Sequence, residues 1–238
     1  MRDWLDLGDV RAEVTRKATK HVHLSVLPPA GKVRVAAPEH VPLDTIRVFV
    51  ISKLAWIRLQ QRKLEAQERE APREYLGKES HYVWGKRYLL NIEYSDTAPS
   101  IDFTPRKLKL RVRPGADPAR CADILDGWYR KQLRNAVPAL LAKWEPQLGV
   151  VAARVFVQRM KTKWGSCTPA SGYIRLNTDL AKKPPECLEY IVVHELLHLV
   201  EPTHNERFGR LMDLYLPHWQ HLRKQLNRLP VRHEEWDY

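Results

Sequence analysis

The sequence predicts an α+β fold in two lobes, a β-rich lobe with one long helix over residues 1–116 and a helix-rich lobe with a small sheet over residues 117–238. Three observations predict it. Short alternating runs bounded by Gly and Pro recur as far as Arg113, long helical periodicities dominate beyond, and the turn Pro114-Gly-Ala-Asp-Pro118 separates the two regimes.

In chain order, His21–Leu27 and Lys32–Ala36 alternate on either side of Pro28-Pro-Ala-Gly31 and read as a hairpin. Pro42-Leu-Asp44 opens a helical pattern through Ile46, Val50, Leu54, Ile57 and Leu64, which ends in the charged run Glu65–Glu70. Strands are expected again at His81–Trp84, at Arg87–Glu93 after a Gly85-Lys86 turn, and at Lys107–Arg113. Asp117 can then cap a helix through Ile124, Trp128, Leu133 and Leu140, with a kink expected at Pro138. Val155–Val157 and Gly172–Asn177 read as strands, the second as an edge strand along which an extended peptide could hydrogen-bond. Pro184 and Pro185 suit the first turn of a helix that continues to Val200, and Pro217–Asn227 reads as a closing helix. Internal repeats are not apparent.

With 238 residues and 44% hydrophobic content, the chain is unlike disordered or fibrous proteins. No stretch reaches the roughly 18 apolar residues of a membrane span, and the first nine residues, rich in acids, do not resemble a secretory leader. Three cysteines, Cys121, Cys167 and Cys187, are too few and too unevenly spaced for a disulfide framework or a zinc knuckle, so a reducing cytoplasm is the expected compartment. The net charge of +12 is spread over the chain. It would favour contact with nucleic acid or acidic partners, although a solvated basic surface has the same signature.

Chemistry concentrates in Ile191–Val200, where His194, Glu195 and His198 interrupt an otherwise apolar helix. Apolar residues cover every side of it, so the three polar groups are expected to be buried. A buried carboxylate beside two imidazoles costs several kcal/mol unless something satisfies it. Two histidines at i and i+4 can converge on Zn²⁺ while the glutamate between them accepts a proton from water, which is the HExxH arrangement.

A catalytic zinc needs a third protein ligand and an open position. Pro202 must end the helix, and Thr203-His-Asn-Glu206 reads as a capping box that starts another, with Thr203 as N-cap. His204 then stands six residues after His198, a spacing by which a third histidine can return to a metal. Glu201, Glu206 and Asp213 are the alternative third ligands.

Lys161-Thr-Lys-Trp-Gly-Ser-Cys167, Gly172-Tyr-Ile-Arg-Leu-Asn177, His194-Glu-Leu-Leu-His-Leu199 and His204-Asn-Glu-Arg-Phe208 occur in that order. In these pieces the chain resembles the YgjP-like metal-dependent hydrolases, relatives of the SprT-like zinc peptidases. The resemblance spans about residues 154–230 and, more loosely, the N-terminal part. It implies a zincin-like catalytic lobe, with His194, His198 and His204 as metal ligands, Glu195 as general base and Glu201 as a neighbour. Two positions depart from the family pattern: Asn205 stands where serine is common and Gly209 where tryptophan is common.

The function expected is therefore a zinc metallopeptidase acting on a peptide or protein. Tyr190, Arg159, Lys161 and Lys163 are the polar groups near enough in sequence to stabilise an oxyanion. Gly165 suits a tight turn, Trp164 a pocket wall, and Cys167 a buried, unreactive thiol. His218 and His221 read as a solvated pair. Two other readings compete: a DNA-associated protease tethered by its basic charge, and a non-enzymatic module with a structural zinc whose fourth ligand is Cys167.

Overall fold

A computed structural model describes residues 2–27, 30–66, 79–160 and 163–228. The turn prolines Pro28 and Pro29, most of the charged run after Glu65, and Lys161 and Thr162 lie outside the described residues. The described residues form two compact units, one of residues 2–66 and one of residues 79–228.

In the first unit, β1 (Arg2–Leu7) and β2 (Val10–Arg16) form an antiparallel hairpin, β2 pairs in parallel with β4 (Lys32–Ala37), and β3 (His23–Leu27) closes the far edge antiparallel to β4. The expected hairpin is β3–β4, with Leu24 opposite Val35. The β1–β2 hairpin lies outside the strands expected from sequence. Its outward positions carry Asp6 and Arg11, which mask an inward row of Leu5, Ala12 and Val14.

The long helix expected from Asp44 is two helices, α1 (Leu43–Ser52) and α2 (Leu54–Glu65), divided at Lys53, whose φ of −109° and ψ of 3° leave the helical region. Ile46, Val50 and Ile57 bury completely against Val33 and Val35 of the sheet, so this unit has a core of its own.

The second unit begins with another four-stranded sheet: β5 (Ser80–Val83), β6 (Lys86–Tyr94), β7 (Ser100–Thr104) and β8 (Lys107–Val112). Its order β5-β6-β8-β7, with only the central pair parallel, reproduces the order β1-β2-β4-β3 of the first sheet. Each sheet is followed by helix. Val33, Val35 and Ala37 correspond to Leu108, Leu110 and Val112, and Ile46 and Val50 to Cys121 and Leu125, all of them buried. The repeat escapes sequence reading because it conserves spacing and burial while nearly every side chain differs.

The division between units does not fall at 116/117. Val83, Leu90, Leu108, Leu110 and Val112 share one core with the helices that follow, so residues 79–116 pack with the second lobe. The Pro114-Gly115 turn is a bend inside a unit.

Asp117 caps α3 (Pro118–Leu148) as expected, its Oδ1 accepting from Arg120 N at 2.7 Å. The helix continues through Pro138 and Pro146 and ends at Gly149, whose φ of 66° is a left-handed cap. Next come β9 (Arg154–Gln158), β10 (Gly165–Thr168) and β11 (Tyr173–Asn177), in the order β10-β11-β9.

This order corrects the expectation for Gly172–Asn177. β11 is the central strand, parallel to β9 and antiparallel to β10, and the edges are β10 and β9. A 3₁₀ turn (Thr178–Lys182) leads into α4 (Pro185–Leu197), followed by α5 (Glu206–Tyr215) and α6 (Trp219–Arg228). The tip of the β5–β6 hairpin anchors the start of α4. Trp84 N donates to the Ala181 carbonyl at 2.8 Å and Gly85 N to that of Lys182 at 3.2 Å, and a Cβ on Gly85 would stand 2.8 Å from Pro184 Cγ.

Candidate metal centre

α4 lies against β10, β11, α3, α5 and α6. Cys187, Leu188, Ile191, Val192, Val193, Leu196 and Leu197 are all buried, so the helix is enclosed on nearly every side as its sequence predicts. Glu195 is buried with them, at 5% exposure.

The helix ends at Leu197, with His198 as its C-cap, and Pro202 lies in the reversal that follows. The capping box is not formed. α5 starts two residues later than that reading required, because Asn205 is the N-cap and its Oδ1 accepts from Phe208 N at 3.0 Å. Thr203 Oγ1 instead donates to the Glu201 carboxylate at 3.1 Å, and Asn205 Nδ2 donates to Thr203 Oγ1. These bonds tie the reversal together, and His204 sits within it.

His194, His198 and His204 each offer a ring nitrogen, and the three atoms lie within 4.8 Å of one another. The Nε2 atoms of His194 and His204 are 2.9 Å apart. Phe208 lies against all three rings, with centroids 4.7 Å from His198, nearly parallel to it, and 4.9 Å from His194 and from His204. It is the floor of the cluster, a role that H-x-x-x-F spacing carried and sequence reasoning did not assign.

The residues fit a cation. His198 Nδ1 donates to the Glu201 carbonyl at 3.1 Å, which fixes the tautomer with the lone pair on Nε2. His194 Nδ1 is buried without a hydrogen-bond partner among the described residues, and its Nε2 faces another imidazole nitrogen. Burial, reinforced by the neighbouring His198, His204 and Arg223, pushes the His194 pKa down to about 3, so this imidazole stays neutral as a ligand must. Burial likewise lowers His204.

Burial pushes the Glu195 carboxyl the other way, up to about 7, with Lys163 opposing. A carboxyl poised near neutrality, next in sequence to His194, is suited to exchanging protons.

Among the described residues the cluster consists of the three imidazoles alone. The alternative ligands are engaged elsewhere. The Glu201 carboxylate accepts from Thr203 and lies 3.6 Å from Arg207, Glu206 pairs with Arg210, and Asp213 accepts from Trp219 Nε1 at 2.7 Å. Cys167 is outside the cluster and only half-buried, with its pKa raised to about 11 by burial and by Glu195.

Of the oxyanion candidates, Tyr190 is buried edge-on to His194 at 5.8 Å, Lys163 is exposed but acts on Glu195, Arg159 is exposed after β9, and Lys161 lies outside the described residues. Arg223, on α6, is not among the sequence candidates, yet its charge acts on His194, His204 and Tyr190. A lone arginine in a solvated helix gives no local signal.

The YgjP-like, metallopeptidase domain profile matches residues 20–229. The chain belongs to the YgjP-like metallopeptidase family. As a YgjP-like protein it is thereby assigned to metal-dependent peptidases, whose substrates are peptides or proteins. The match also bears on the two departures in α5: asparagine, like serine, is a good N-cap, and a Cβ on Gly209 would meet no atom within 4 Å.

A search for similar curated proteins returned no match. Among solved structures, the metallopeptidase zymogen abylysin of Pyrococcus abyssi is similar at 24% identity over 38% of this chain and 90% of its own, with a TM-score of 0.36. No described helix of the YgjP-like chain is long and apolar enough to cross a membrane.

Proposed function

We propose that this YgjP-like protein is a zinc-dependent peptidase, with His194, His198 and His204 as the ligands and Glu195 as the general base. The observation that carries the reading is the convergence of three ring nitrogens within 4.8 Å beside a buried carboxylate. Three imidazoles from a helix and the loop after it suit Zn²⁺ with one position left for chemistry. Bound there, Zn²⁺ would polarise the scissile carbonyl and acidify water.

The remaining steps belong to the chain. An extended peptide lies along β10, which pairs only with β11 among the described strands and so has a free edge. Glu195 accepts a proton from the attacking water at its carboxylate, then delivers it to the nitrogen of the leaving amine. The apolar faces of α4 and Phe208 hold the ligands in place and keep competing water away. The three-stranded sheet and α4 together then form a zincin-like lobe.

Glu195→Gln tests the assignment, because the amide keeps the shape and cannot accept the proton. Zinc binding is expected to persist while hydrolysis of a verified substrate falls by about 10²–10⁴-fold. Cleavage at the wild-type rate by the zinc-loaded variant overturns it.

A further inference from the structure

Two sequence pieces remain without a role in this scheme, Trp164-Gly-Ser-Cys167 and the strand ending in Asn177. Both run toward Glu195. A Cβ added to Gly165 would stand 2.6 Å from Glu195 Oε1, 2.8 Å from its Cγ and 2.9 Å from Ile191 Cγ2. Ile191 and Glu195 are one turn apart on the same face of α4 and both buried, so the helix meets β10 at this residue. Gly165 is not among the residues with positive φ. Its lack of a side chain therefore serves space, not backbone conformation, which replaces the tight turn expected from sequence.

Asn177 holds the approach to that contact. Its backbone N donates to the Trp164 carbonyl at 2.9 Å. Its side-chain Nδ2 donates to the carbonyls of Met160 and Lys163, each at 2.9 Å, while Oδ1 accepts from Asp179 N at 3.1 Å. The side chain is buried and fully engaged. It clamps the chain on both sides of residues 161–162 and delivers Trp164 and Gly165 onto α4. Gly165 itself pairs with Leu176, the residue before Asn177.

From these contacts we infer that Gly165 and Asn177 are positioning residues for Glu195: Asn177 fixes the strand entry, and the bare backbone of Gly165 forms the wall against which the carboxylate is seated. The hydrogen bonds of the Asn177 side chain go to backbone groups of Met160, Lys163 and Asp179 and none to the imidazole cluster. The inference rests on the proposed role of Glu195 as base, and it explains why a glycine and an asparagine accompany the HExxH helix.

The test measures coupling between residues, without peptidase activity. In urea unfolding of the metal-free protein, Gly165→Ala is expected to lower the folding equilibrium constant by about 30-fold or more, as overpacking does. In a Glu195→Ala background, where the two closest clashing atoms are gone and only the Ile191 Cγ2 contact at 2.9 Å remains, the same substitution should cost at least about tenfold less. If Gly165→Ala alone does not fold, recovery of folding in the double variant supports the inference, and failure of both overturns it. Equal losses in the two backgrounds also overturn it, since they would mark a glycine of merely structural importance.

Asn177→Asp removes both donors and should accelerate hydrogen exchange across residues 163–168. Unchanged exchange there overturns the role of Asn177. All variants should still bind as much zinc as wild type, and a loss would show that these residues serve the ligands instead. A Glu195→Gln enzyme that remained active would overturn the base assignment yet leave the coupling intact, so the two failures are distinguishable.

Discussion

His204 Nε2 lies 2.9 Å from His194 Nε2, across a chain reversal bonded together by Thr203, Glu201 and Asn205. The contact places a residue from an exposed loop against the interior of a buried helix, and it turns two helical histidines into a three-cornered cluster. Replacing His204 with alanine should weaken zinc binding by more than the roughly 10–100-fold typical of losing an outer partner. Competition against a chelating dye measures this, and an unchanged affinity would remove His204 from the ligand set.

Phe208 is expected to matter for stability as well as for the site. It is buried beneath all three imidazoles, so Phe208→Ala should cost about 3–5 kcal/mol, read by urea unfolding. Phe208→Leu should recover a large part of that loss.

The reversal also makes a prediction about helix capping. With Asn205 as the N-cap of α5, Asn205→Ala should destabilise by about 1 kcal/mol, whereas Asn205→Ser should be nearly neutral. Comparing melting temperatures decides it. A larger effect from Thr203→Ala than from Asn205→Ala would restore the capping box read from sequence.

Burial of Glu195 sets a pH dependence in the metal-free protein. Its folded pKa, raised to about 7 from 4.5, means that the folded state holds a proton which the unfolded state releases. The associated stability is complete below pH 4.5 and is lost as pH rises through 7. Relative to Glu195→Gln, wild type should therefore lose up to roughly 3 kcal/mol between pH 4.5 and 8.5. Parallel stability profiles for the two proteins would contradict the buried, protonated carboxyl.

Cys167 provides an independent check of the same environment. Its thiol, raised to about 11 by burial and by Glu195, should be only about one part in a thousand thiolate at pH 8. Alkylation by iodoacetamide should be correspondingly slow in the folded protein and fast in urea. Rapid labelling of folded protein would contradict the placement of β10.

Much of the site was legible in sequence because the helix displays its own contradiction: two histidines and a glutamate inside Ile191–Val200, with a histidine after the break at Pro202. The strands β9 and β11 and the Asp117 cap were legible for similar reasons, alternation in one case and a single strong capping residue in the other. β10 is not, since Gly165-Ser-Cys-Thr168 is short, opens on glycine and has one β-branched residue, and it becomes a strand through pairing with β11. Without β10, β11 reads as the edge of its sheet. The division of α1 from α2 at Lys53, and the membership of residues 79–116 in the second unit, depend on which core the apolar residues join. Gly165 shows the limit most clearly: glycine reads as a turn, while the structure uses its missing side chain to admit Glu195.

The central claim is the metal centre, and metal analysis of three purified proteins tests it most directly. Wild type and Glu195→Gln should each hold one zinc per chain, and His194→Ala should hold almost none. Equal zinc in wild type and His194→Ala would contradict the account.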